Sequence, residues 1–141
     1  MEGERGFPTL LQVVLDCTDA RALAEFYRQL LGWRYRPGHE EPDPEGDDWL
    51  VLQDGAGGRV AFQQVAALPE ATWPEGPVPQ QLHLDLMVPT VADLDAQHER
   101  ALALGARLLQ DRADDPEEPL RVYADPAGHP FCIFVGGPAP A

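Results

Sequence analysis

From Gln81 to Val88 apolar and other residues alternate with a period of two, Leu82, Leu84, Leu86 and Val88 on one face and Gln81, His83, Asp85 and Met87 on the other. That pattern predicts a strand covered on one side only. The alternation recurs near the start of the chain, in a strand expected over 9–17. There Leu11, Val13, Leu15 and Cys17 oppose Gln12, Val14 and Asp16. Each strand leads into a helical stripe. Thr18 or Asp19 can cap the first helix, whose apolar positions are Ala20, Leu23, Phe26, Tyr27, Leu30 and Leu31, with Gly32 as its stop. Thr90 opens the second, with Val91, Leu94, His98, Ala101 and Leu102 as its inner face and Gly105 at its end.

The intervening segments read as short strands. Trp33–Arg36 is one, and 49–53 and 59–65 flank the turn Asp54-Gly55-Ala56-Gly57-Gly58 as a hairpin. In the second half, 106–110, 120–124 and 131–135 play the same parts, the last two joined by Asp125-Pro126-Ala127-Gly128. Loops rich in Pro, Gly and acidic residues are expected over 37–47 and 111–118, and a frayed tail over 136–141. From Gln12 to His83 is 71 positions, as it is from Asp19 to Thr90. The chain is thus a repeat: one α+β domain spanning 1–141, built of two tandem βαβββ modules at about 8–65 and 80–136. A linker at 66–79 containing four prolines joins them. The expected architecture is two curved sheets around a shared cleft, helices outside.

Composition narrows the chemistry. The 141 residues are 44% hydrophobic, enough for one core. The net charge of −14 disfavours nucleic acid and anionic membrane surfaces. No apolar run is long enough to span a bilayer, and the first eight residues are polar and acidic, so a cytoplasmic protein is expected. The sequence contains no Lys, Ser or Asn. P-loop, Schiff-base lysine and serine-nucleophile chemistries are therefore excluded, and no cofactor is expected. Acid–base work falls to four His, the carboxylates, Tyr, and the thiols of Cys17 and Cys132, which lack zinc-finger or disulfide spacing.

Several segments carry a resemblance to the glyoxalase and bleomycin-resistance, or vicinal-oxygen-chelate, superfamily. They are Asp19 to Gly32 with its Phe26-Tyr27 and Leu31-Gly32, His83-x-Asp85-x5-Val91-x-Asp93-Leu94, Leu104-Gly105-Ala106, and Tyr123-x-Asp125-Pro126-x-Gly128-His129-Pro130-Phe131. The resemblance implies the paired βαβββ fold and a homodimer, but no single activity. The positions of the family's metal ligands fall on Gln12, Phe62 (Gln64 with a register shift of two), His83 and Cys132, of which only His83 has the usual identity. No metal is therefore expected, since a divalent ion needs three or four nitrogen, oxygen or thiolate donors.

Strand parity supplies the expected site. His83 and Asp85 are the candidate catalytic pair; Gln12, Val14, Asp16 and Met87 share their side, and Phe62, Gln64, Cys132 and Phe134 are expected to close the walls. Such a half-apolar cleft with a few polar anchors suits a small-molecule ligand. His83 either meets that ligand or serves as a structural partner of Asp85. Three functions follow as alternatives: a binding protein for a small, partly apolar molecule, a metal-independent isomerase or lyase with His83 as acid or base, and a metal-dependent lyase or dioxygenase with unorthodox ligands.

Overall fold

The first strand, β1 (Val13–Cys17), begins four residues later than the alternation suggests. The reason is its partner. β4 (Arg59–Gln64) runs parallel to it and starts the register at Val13↔Val60, so Leu10 and Leu11 have no ladder to join and are exposed. The computed structural model of the chain describes residues 6–42 and 47–136; part of the expected acidic loop and all of the expected tail except Gly136 lie outside them. Helix α1 (Ala20–Leu31) is capped by the Asp19 side chain, which accepts from the Ala22 N–H at 3.0 Å. It ends at Gly32, whose φ of 72° favours glycine. With β2 (Arg34–Tyr35) and β3 (Trp49–Gln53) the first sheet has the order β1-β4-β3-β2.

The second module repeats this plan. β5 (Leu84–Val88) and α2 (Val91–Leu104) start 71 positions after β1 and α1. With β6 (Arg107–Arg112), β7 (Leu120–Ala124) and β8 (Pro130–Val135) they form a sheet of order β5-β8-β7-β6, β5 lying parallel to β8. β5 is shorter than its alternating run because the ladder with β8 begins at Leu84↔Phe131. His83 consequently stands just before the strand.

The helix-facing residues of both sheets make one core. Tyr27 of α1 stacks on Phe62 of the first sheet and meets Phe131 of the second edge-on, and Tyr123 stacks on Phe131. Asp125, the one buried charged side chain among the described residues, ties the modules together. One oxygen accepts from the Tyr27 hydroxyl at 2.7 Å; the other accepts from the backbone N–H groups of Ala127 and His129, shaping the turn before β8. Burial pushes its carboxyl pKa up. Helix α2 buries less than its stripe predicts. Leu94 and Ala101 are enclosed, but Val91 and Leu102 are exposed, and His98 meets the Tyr123 hydroxyl at 2.8 Å.

The linker carries no strand but is held in place. Thr72 N–H donates to the Val78 carbonyl at 2.7 Å, Val78 N–H donates to the Thr72 hydroxyl at 2.9 Å, and Glu70 pairs with Arg107. No described helix is long and apolar enough to cross a membrane.

Candidate functional site

On the face of the second sheet turned away from the helices lies a cavity of about 340 Å³. Parity builds its floor: Asp85 pairs with Cys132, Cys132 with Val122, and Val122 with Gln110, while Phe134 pairs with Leu120 and Leu120 with Arg112. All of these side chains line the cavity, with Glu118 at its edge and Trp73 and Gln80 reaching in from the linker. At the matching centre of the first sheet Val51 and Ala61 are fully buried, so no cavity opens over that pair.

The polar centre is a short chain of contacts. His83 Nε2 lies 3.2 Å from Asp85 Oδ1, and the Cys132 thiol donates to the same oxygen at 2.8 Å. Burial pushes the Cys132 thiol up to about 12, with Asp85 adding to the rise, because a thiolate there would face a carboxylate at hydrogen-bond distance. Cys132 at neutral pH is a proton donor and a poor nucleophile. His83 and Asp85 are about half exposed and open onto the cavity.

The expected site residues divide into four groups. His83, Asp85, Cys132 and Phe134 come together in the cavity. Val14 and Asp16 border a neighbouring cavity of about 370 Å³ beneath the linker. Gln12 and Met87 line neither; Gln12 accepts a hydrogen bond from Arg59 Nε at 3.2 Å and Met87 is exposed. Phe62 and Gln64 require a correction. Leu15 pairs with Phe62 and Cys17 with Gln64, so both face the helices. Phe62 is fully buried against Tyr27, and the Gln64 side-chain oxygen accepts from Ala20 N–H at the start of α1. Ala61 and Gln63 occupy the side of Val14 and Asp16. The sequence misleads because Val60, Ala61 and Phe62 are all apolar and all buried, which leaves no alternation to fix their facing.

Leu120, Val122, Gln110, Arg112, Trp73 and Gln80 line the cavity beyond the expected set. Leu120 and Val122 could have been found from the parity of β7, where they alternate with Arg121 and Tyr123. Gln110 and Arg112 follow from β6, though a register shift between Leu108 and Gln110 breaks its simple count. Trp73 and Gln80 sit in a non-periodic segment with no such signal.

The four positions that the resemblance marks as metal ligands do not form a metal set. They present an amide oxygen already taken by Arg59, a phenyl ring in the core, an exposed imidazole and a thiol that holds its proton. That donor set does not fit a divalent ion. Among the described residues no group of three or more His, Cys, Asp and Glu side chains is arranged to hold one.

A family model described as a glyoxalase-like domain matches residues 12–134. Among solved structures, a glyoxalase/bleomycin resistance protein/dioxygenase family enzyme from Burkholderia phytofirmans PsJN is 20% identical, with a TM-score of 0.68 over 91% of this chain and 98% of its own. A fosfomycin resistance protein from Mesorhizobium loti is 17% identical, with a TM-score of 0.68 over 93% and 94% of the two chains. Lactoylglutathione lyase from Agrobacterium tumefaciens gives 18% and 0.61, over 94% and 96%. At these identities the likeness is one of fold. No curated protein matches the chain.

Proposed function

The chain belongs to the glyoxalase-like domain family, and on that premise we propose that it binds a small, partly apolar molecule in the cavity of its second sheet, without a divalent ion at the family's ligand positions. The observation that carries this reading is the make-up of the cavity. Trp73, Leu120, Val122 and Phe134 offer apolar surface, and His83, Asp85 and Cys132 are joined as one polar anchor. A few polar groups at one point of a largely apolar hollow orient a ligand, while the surrounding surface supplies most of the affinity. The fold hosts proteins of several names, so family membership does not by itself choose between binding and turnover.

The test is a thermal-shift and calorimetric screen of partly apolar small molecules on the purified chain. A ligand binding once per chain, and lost in Val122→Trp, which fills the cavity, supports the reading. Ligands whose affinity survives both Val122→Trp and His83→Ala would overturn it.

The 3.2 Å contact between His83 and Asp85 favours a second reading, acid–base catalysis of an isomerisation or elimination. Asp85 would orient the imidazole, and the Cys132 thiol would keep the carboxylate in place. Turnover that follows pH with a bell-shaped profile and vanishes in His83→Ala would establish this reading; tight binding with no turnover would leave the first.

A further inference from the structure

We propose that the cavity beneath the linker is a second small-molecule site, built for an organic ammonium ion with a compact aliphatic or aromatic body. It does not rest on the reading of the first cavity. The two hollows share Gln80 and Pro130, but His83, Asp85 and Cys132 border only the first.

The body of the ligand is set by shape. A space of about 370 Å³ lies at the small end of ligand pockets, which span roughly 300–1,000 Å³, and suits one ring or a branched chain. Leu68, Val78, Pro79 and Leu82 supply apolar surface from the linker and the segment that follows it. That cover is preformed, since the Thr72–Val78 hydrogen bonds close the linker on itself. A preformed wall saves the ordering cost that a mobile one would charge against binding.

The head of the ligand is set by the hydrogen-bonding inventory. Asp16 turns its carboxylate to the side away from the helices, and it has no hydrogen bond or ion pair among the described residues. The Gln80 side-chain oxygen is buried and has no partner among them either. His129 Nε2 lies 2.6 Å from the backbone carbonyl of Asp16. Because a carbonyl only accepts, Nε2 carries the hydrogen, and in the neutral ring Nδ1 is left as a lone pair. Asp16 thus brings an anionic acceptor without a partner to the rim of the space, on a chain of net charge −14, and Gln80, whose unpaired oxygen is buried, lines the same space. A carboxylate ligand would be repelled, an alcohol would answer one acceptor, and an ammonium group brings three donors and the opposite charge.

The experiment uses the whole chain and three probes of one shape: cyclohexylmethylammonium, cyclohexylmethanol and cyclohexanecarboxylate. Each is titrated in two-dimensional amide NMR. Saturable shifts are expected for the ammonium at Asp16, Val78, Gln80, Leu82 and Gly128, with Val122 and Cys132 unmoved. Its affinity should exceed that of the alcohol about tenfold or more, and the carboxylate should not bind. Asp16→Asn, at an exposed side chain without partners, should bring the ammonium down to the level of the alcohol. Gln80→Leu should weaken it several-fold. The proposal fails if no probe gives saturable shifts here, if the shifts centre on Val122 and Cys132, if the carboxylate binds as well as the ammonium, or if either variant keeps the full ammonium affinity.

Discussion

Asp85→Asn should make Cys132 easier to alkylate. The two groups touch at 2.8 Å, and burial first and Asp85 second hold the thiol at about 12 instead of its ordinary 9.0. At pH 8 an ordinary thiol is roughly one-tenth thiolate and a thiol at 12 about one part in ten thousand, so Cys132 should react on the order of a thousand times more slowly than a free cysteine. Burial takes the larger share of that factor. Removing the carboxylate charge while keeping its shape should therefore restore about tenfold, leaving the remainder to desolvation. Iodoacetamide labelling at pH 8, followed by peptide mass spectrometry, reads the rate at Cys132. It also reads Cys17, whose rise to about 11 comes chiefly from burial and which makes no contact with Asp85. The Cys17 rate should not change. A Cys132 rate that is unchanged or slower in Asp85→Asn would refute the assigned role of the carboxylate. A ligand seated in the cavity should slow Cys132 labelling further in the parent protein.

Both raised thiols also predict alkaline instability. The unfolded thiols ionise near 9.0, while the folded ones keep their protons to about 11 and about 12. The unfolded chain thus loses protons first, and the contribution is whole below pH 9 and falls as pH rises toward 12. Urea midpoints should drop between pH 8 and 10.5, and less steeply in the Cys17→Ala, Cys132→Ala double variant; equal slopes would count against it. Asp125→Ala leaves the buried Tyr27 hydroxyl and two turn N–H groups without their acceptor, and should cost about 2–4 kcal/mol in denaturant titrations, where a loss below about 1 kcal/mol would contradict the inter-module tie. Leu94→Ala, at a fully buried position, should cost about 2–5 kcal/mol. His83→Ala should stay within about 0.5 kcal/mol of the parent, as its side chain is half exposed. The chain is expected to be a homodimer, and light scattering that finds a monomer at micromolar concentration would remove that expectation.

Much of the fold can be read from local chemistry. The period-two runs at 11–17 and 82–88, the caps Asp19 and Thr90 and the stops Gly32 and Gly105 each declare themselves within a few residues. Repetition at 71 positions then dictates two like modules, because one such module has too little apolar area to be stable alone. Part of the site was legible for the same reason: parity sets Asp85, Cys132 and Phe134 on one face. The first strands were over-read at their starts because alternation continues past the point where a neighbouring strand exists to pair with. Phe62 and Gln64 were misplaced because a strand apolar on both faces has no periodicity, and only its pairing with β1 turns Phe62 toward Tyr27. Tertiary structure alone decided that Trp73 and Gln80 of the linker enter the cavity and that one oxygen of Asp85 receives both His83 and Cys132. Except for the His83–Asp85 pair, those contacts join residues tens of positions apart, and which distant groups meet depends on packing that no local pattern encodes.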